Sequence, residues 1–239
     1  TASATVFITI VNDNPIAVDD TATVGRNLAV DIDVLANDSD PNGDAVTVIT
    51  LGDVSSENNT ATIIEDGKKV HFTASNNLET VDFTYTIQDV DDGQAQATVK
   101  VSVVNNKPVP EDDSYSTLWN RVTSFDVIDN DSDINGDSLS IFSYTRPSKG
   151  SLTKKNDREF TYTPERGFVG SDSFTYTVYD GYDESETSAT VNIQVTNVAP
   201  VAEPDTESTH WAQSVVIAAL DNDSDVDGDV LTISAVYQP

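Results

Sequence analysis

The chain has 239 residues, of which 41 are acidic and 12 basic, giving a formal charge of −29, with no cysteine and no methionine. Disulfides, thiolate metal sites and cysteine nucleophiles are thereby excluded, and a chain this acidic repels phosphate backbones, so nucleic acid is not expected as a partner. At 37% hydrophobic it can still build cores, and no apolar run approaches the roughly 18 residues that span a membrane, so membrane insertion is not expected either. The sequence opens without Met or a signal-like stretch and reads as an internal piece of a longer chain.

An internal repeat organises the rest. The segment Leu35-Ala-Asn37-Asp38-Ser39-Asp40-Pro-Asn42-Gly43-Asp44 returns as Ile128-Asp-Asn130-Asp131-Ser132-Asp133-Ile-Asn135-Gly136-Asp137. It returns again as Leu220-Asp-Asn222-Asp223-Ser224-Asp225-Val-Asp227-Gly228-Asp229, at steps of 93 and then 92 residues. Pro15, Pro108 and Pro200 keep the same step, as do the acids Asp19-Asp20, Asp112-Asp113 and Asp205.

In chain order, Ala4-Thr-Val6-Phe-Ile8 matches Ala97-Thr-Val99-Lys-Val101 and Ala189-Thr-Val191-Asn-Ile193. Residues 1–14 are therefore expected to be the last strand (1–12) of a preceding repeat plus a linker, and residues 15–107 and 108–199 two whole repeats. In the second repeat, period-two alternation rich in β-branched and aromatic residues predicts strands at 114–119, 122–128, 138–144, 151–153, 159–163, 173–179 and 187–195. Turn residues (Asn, Asp, Gly, Pro) fill the gaps, and no stretch shows a capped helical period. Seven short strands in about 92 residues predict an all-β fold of tandem immunoglobulin-like (cadherin-like) antiparallel β-sandwich domains arranged end to end. Residues 200–239 are the N-terminal part of a further repeat. About 40 residues is near the lower limit for unaided folding, so this segment is expected to fray or to be completed by strands of another molecule.

Consecutive strands alternate in direction, so the loops after the second and sixth strands share an end with the start of the first. In the first repeat this gathers Asp19 and Asp20, the loop acids Asp38, Asp40, Asn42 and Asp44, and Asp89, Asp91 and Asp92, beside the incoming Asn12-Asp13-Asn14. The second repeat gathers Asp112, Asp113, Asp131, Asp133, Asn135, Asp137, Asp180 and Asp183, fed by Asn105-Asn106; the third contributes Asp205, Asp223, Asp225, Asp227 and Asp229. Carboxylates this close need a counter-charge. Calcium supplies it: the ion takes 6–8 oxygen ligands in flexible geometry, whereas zinc favours His or Cys and magnesium a stricter octahedron. Asp38, Asp40 and Asn42, followed by Gly43 and Asp44, resemble the first half of an EF-hand loop, but Ile49 stands where its closing Glu belongs, so this is no EF-hand. Asn, Asp and Gly also simply make good turns; three matching loops in register favour calcium over that simpler reading.

The loop motif, together with Phe160-Thr-Tyr162-Thr-Pro164 and Gly167-Phe168-Val-Gly170-Ser-Asp172-Ser-Phe174-Thr-Tyr176, resembles the bacterial cadherin-like or immunoglobulin-like tandem repeats of very large RTX-type adhesins secreted by the type I route. Asn12-Asp13-Asn14-Pro15 is similar to the calcium-binding linker of cadherins. The resemblance implies a calcium-stiffened, non-enzymatic spacer at the bacterial surface or outside the cell. Its partners would be calcium and neighbouring repeats of the same chain, with glycans or another cell surface gripped by other regions. The first repeat departs from the pattern: residues 70–85 lack the Pro and the Gly-Phe-x-Gly-x-Asp segment, so that turn is expected to be reshaped. The later linkers, Lys107-Pro108 and Ala199-Pro200, lack the equivalent of Asp13.

Trp119 and Trp211 share a repeat position that Arg26 holds in the first repeat. Exposed aromatics in a row would favour an alternative, a carbohydrate-binding module of an extracellular polysaccharide-active protein. His71 and His210, the two histidines, have no triad partners at a recognisable spacing, and repeated carboxylate pairs argue for a structural role, so no enzyme is expected.

Overall fold

Residues 79–88 place Val81, Phe83, Tyr85 and Ile87 on one face and polar side chains on the other, and a strand of that period buries one face and wets the other. The same alternation recurs in most strands of the computed structural model, which describes residues 3–237. Thr1, Ala2, Gln238 and Pro239, at the ends of the expected first and last segments, lie outside the described residues. The chain divides into two units, Thr1–Asn106 with Asp133–Asp137, and Lys107–Ser132 with Ser138–Pro239.

The first unit holds β1 (Asp20–Gly25), β2 (Ala29–Ile32), β3 (Thr47–Leu51), β4 (Thr60–Ile64), β5 (Lys69–Thr73), β6 (Glu79–Gln88) and β7 (Gln94–Val104). One sheet has the order β1-β7-β6-β3 and the other β2-β5-β4. Their inner faces meet in a core of Val34, Val70, Phe72, Val81, Phe83, Tyr85, Ile87 and Val99. Phe72 of one sheet stacks on Phe83 of the other with ring centroids 6.0 Å apart.

The second unit repeats the plan with β8 (Asp113–Leu118), β9 (Thr123–Asp126), β10 (Ser140–Tyr144), β11 (Gly150–Lys154), β12 (Glu159–Pro164), β13 (Gly170–Tyr179) and β14 (Ala189–Thr196). Its sheets are β10-β13-β14-β8 and β11-β12-β9. Phe160 meets Phe174 edge-on at 5.1 Å across the core. All seven predicted strands of this repeat are present, each shifted by no more than a few residues at its ends. One feature differs from a purely antiparallel sandwich: β1 pairs β7, and β8 pairs β14, in parallel. The first and seventh strands of an alternating chain point the same way, so they pair in parallel wherever they become neighbours.

The segments at the two ends hold no strand among the described residues. Residues 3–12 form no strand; Phe7 is 92% and Ile10 94% exposed, since no sheet edge among the described residues receives them. Residues 200–237 also form no strand and hold one bridge, Val201 to Ser224. The reshaped turn of the first repeat is present too. Val81 takes the register place of Asp172, and Glu79 instead anchors the loop, accepting from Asn59 Nδ2 at 2.9 Å and Ser56 Oγ at 3.1 Å.

Candidate metal centres

Each acidic loop is built by its own short-range bonds. Asp40 Oδ1 accepts the backbone N–H groups of Asn42 (2.7 Å) and Asp44 (3.2 Å). Asp133 does the same for Asn135 and Asp137, and Asp225 for Asp227 and Asp229. The turn needs a left-handed residue, and Gly43, Gly136 and Gly228 supply it at φ 84°, 82° and 80°. An isolated bridge to the incoming segment, Ile16–Ser39, Val109–Ser132 or Val201–Ser224, fixes each loop's other side. There the acid just after the motif's first Asn accepts a main-chain N–H: Asp38 from Val18, Asp131 from Glu111, Asp223 from Glu203, all at 2.8 Å.

The residue just before the motif glycine reaches back to the linker in all three loops. Asn42 Oδ1 accepts Asp13 N–H at 2.7 Å, Asn135 Oδ1 accepts Asn106 N–H at 2.8 Å, and Asp227 Oδ2 accepts Val198 N–H at 3.0 Å. Asn12 Nδ2 donates to Asp89 Oδ2 at 2.9 Å, while Asp89 Oδ1 takes the N–H groups of Asp91 and Gly93. A Cβ on Gly93 would lie 3.0 Å from Asn14 Oδ1, so the loop and the linker approach closely there. Asp180, at the matching loop of the second unit, closes a tighter turn, its Oδ1 accepting from the N–H groups of Tyr182 and Asp183 at 2.6 Å each.

Behind the loops of each unit, a tyrosine hydroxyl stands over a pair of carboxylates. The Tyr85 hydroxyl lies 3.1 Å from both oxygens of Asp38, and burial raises the pKa of Asp38 and of neighbouring Asp20. Tyr176 stands 3.0–3.1 Å from Asp131 and Asp113; burial pushes Asp113 up to about 6, against the hydrogen bonds from Tyr176 and Tyr115. Asp19 and Asp112 each turn one oxygen to a strand N–H, of Thr98 at 2.8 Å and of Thr190 at 2.6 Å. Asp92 accepts from Gln88, and Asp205 is exposed.

In the first unit the structure brings Asp40, Asp44, Asp89 and Asp91 into one electrostatic neighbourhood. Partial burial, then the charges of Asp40, Asp91 and Asp89, raise the Asp44 pKa. In the second unit Asp225, Asp227 and Asp229 place carboxylate oxygens within 4.8 Å of one another. Oxygens that share one calcium at about 2.3–2.6 Å can stand no more than about 5 Å apart, so this spread fits a single ion. Asp227 is 8% exposed, and its Oδ1, with Asp225 Oδ2, is buried with no hydrogen-bond partner. Asp20 Oδ2 and Asp40 Oδ2 share that condition in the first unit. A buried, unsatisfied carboxylate oxygen is costly unless a cation meets it. The donor set, all oxygen with no imidazole or thiolate, fits calcium.

Two residues at the linker escaped the sequence reading as participants. Arg26, 1% exposed, pairs with Asp137, and Trp119 Nε1 donates to Asp229 Oδ2 at 3.2 Å. The signal was present in the repeat alignment, which put both at one position. Trp119 also packs on the second core, so it is not a free sugar platform; Trp211 is 96% exposed.

Comparison with known proteins agrees with this architecture. The bacterial Ig domain profile matches residues 12–102 and 105–194. The chain belongs to the bacterial Ig domain family. Such bacterial Ig domains are typically non-enzymatic and are commonly found in surface or extracellular proteins. Among curated proteins, the chain is 33% identical over 102 residues to Protein GAMETE EXPRESSED 2 of Arabidopsis thaliana, covering 42% of this chain and 11% of that protein. It is 25% identical over 125 residues to Integrin beta-like protein C of Dictyostelium discoideum, covering 46% and 6%. Among solved structures, Drosophila N-cadherin EC1-4 aligns at 14% identity over 80% of this chain and 53% of that one, with a TM-score of 0.32. An endo-fucoidan hydrolase of glycoside hydrolase family 107 aligns at 18% identity over 77% and 35%, with a TM-score of 0.34.

Proposed function

We propose that this pair of bacterial Ig domains is a calcium-binding, rod-like extender segment of a bacterial cell-surface or secreted adhesin, of the RTX type that supports adhesion and biofilms. Calcium held where linker and loop meet would stabilise and stiffen the array. The reading rests above all on Asp225, Asp227 and Asp229, whose gathered oxygens include two that are buried and without a hydrogen-bond partner. In the first unit the equivalent Asp40 and Asp44, with Asp89 and Asp91 beside them, support it.

The residues give the ion's effect a physical form. Extracellular calcium modules bind at about 10⁻⁴–10⁻³ M. At calcium near 100 times the dissociation constant, one site adds roughly 2.7 kcal/mol, a large share of the roughly 5–15 kcal/mol that holds a domain. Low cytosolic calcium would leave the chain loosely folded for export, and external calcium would complete it. Calorimetric titration with calcium, with melting curves in calcium and in chelator, tests this. Chelation is expected to lower the Tm by roughly 10–20 °C for a domain of this size. Asp227→Asn is expected to weaken binding about tenfold or more by deleting one charged ligand. No heat of binding and identical melting curves would sink the reading.

A further inference from the structure

The position just past the first strand of each repeat carries a different side chain in each unit, and that difference decides what meets the loop acid. Arg26 follows β1 and Trp119 follows β8; their N–H groups make equivalent bonds, to Val104 O at 2.9 Å and Thr196 O at 3.0 Å. The next residues are equivalent too, since Asn27 Nδ2 donates to Asn135 O at 3.1 Å and Asn120 Nδ2 donates to Asp227 O. Yet the last loop acid meets a guanidinium in one case, Arg26 with Asp137, and a neutral indole in the other, Trp119 with Asp229. The loops compensate in composition: the first has Asn135 at its centre where the second has Asp227.

Arg26 is held as a built-in ion is held. Its Nε donates to Asn105 Oδ1 at 3.0 Å and its Nη1 to Asn76 Oδ1 at 2.6 Å, while Nη2 faces the Asp137 carboxylate. Its own carbonyl accepts Asn135 Nδ2 at 2.7 Å, so the same residue grips the loop at two points. Gly25 makes room, because a Cβ there would lie 2.0 Å from Asn106 Oδ1 and 3.0 Å from Asn135 Nδ2. A charge this deeply buried persists only when paired and hydrogen-bonded, and a planar fork with five donors suits one carboxylate and two amides together.

We propose that the Arg26 guanidinium is a resident cation that keeps the Asp133–Asp137 loop closed on the first unit without a divalent ion, whereas the loop of Asp225, Asp227 and Asp229, facing Trp119, closes only when a divalent cation is bound. The second half rests on the calcium reading above; the first half does not. Metal dependence is thus graded along one chain by a single residue per repeat.

Two backbone amides report the two loops separately, Asn106 (bonded to Asn135 Oδ1) and Val198 (bonded to Asp227 Oδ2). Amide hydrogen exchange of the whole 239-residue chain, followed by NMR in millimolar calcium and in excess chelator, reads both at once. In the wild type, chelation is expected to speed Val198 exchange about tenfold or more while leaving Asn106 nearly unchanged. Arg26→Trp should transfer the chelator sensitivity to Asn106. Trp119→Arg should remove it from Val198, and this reciprocal variant decides the matter if Arg26→Trp does not fold. Equal loss of protection at both amides on chelation, or unaltered Asn106 protection in folded Arg26→Trp, overturns the proposal. If calcium changes neither amide of the wild type, the calcium reading fails; Arg26→Trp then exposes Asn106 with or without the ion if the guanidinium clamp is right, and leaves it protected if it is wrong.

Discussion

Asp172 illustrates how a single buried acid ties a loop to a sandwich. It is 5% exposed and accepts from Ser148 N–H and Lys149 N–H at 2.9 Å each, from Ser173 N–H at 3.0 Å and from the Tyr162 hydroxyl at 2.8 Å. Burial alone would raise its pKa, but these donors outweigh burial and hold it below the ordinary carboxylate range. A depressed folded-state pKa contributes stability that is present above the unfolded value, near 3.9, and is lost as pH falls through the folded one. Asp172→Asn turns an amide N–H toward other donors and is expected to cost about 1–3 kcal/mol at pH 7, read from urea melts. The gap to wild type should narrow as pH falls below the unfolded value and the wild-type carboxyl is also protonated. A gap that stays constant to pH 2 would show that shape, not charge, holds the loop.

At the scale of the element, the hairpin of β11 and β12 depends on one missing side chain. A Cβ on Gly150 would come within 2.4–2.6 Å of the ring and hydroxyl of Tyr162, which is fully buried and pairs through that hydroxyl with Asp172. The ring cannot swing aside without breaking that bond, so Gly150→Ala is expected to cost about 1–3 kcal/mol by overpacking. Thermal melting of the second unit's transition measures it; a neutral outcome would mean that β11 shifts freely. The parallel pairs β1–β7 and β8–β14 follow the same logic of compulsion. Each places its first strand against the last, so the acids at Asp20 and Asp113 sit beside the tyrosine of β6 or β13.

For the whole molecule the −29 charge is the governing quantity. Uncompensated, it opposes the compact state by self-repulsion. Salt shortens the screening length from about 10 Å at 0.1 M to about 3 Å at 1 M. Added sodium chloride is therefore expected to raise the Tm clearly in chelator and only slightly in saturating calcium. Equal salt responses in the two conditions would show that the loop acids carry no ion.

The sequence by itself determined the strands, the repeat and the chemistry of the loops. Period-two alternation in residues such as 83–87 forces a half-buried strand, and Asp-x-Asn-Gly-Asp closes on its own backbone within five residues, so both are local. It left open which acids share a neighbourhood and what meets them. Arg26 against Asp137, Trp119 against Asp229 and Tyr85 over Asp38 are contacts between residues far apart in the chain. Sequence alignment gave Arg26 and Trp119 one position without saying that one brings a charge to a carboxylate and the other does not. Only the tertiary structure decides that, because the balance between a buried acid and its counter-charge is set by distance and burial in space.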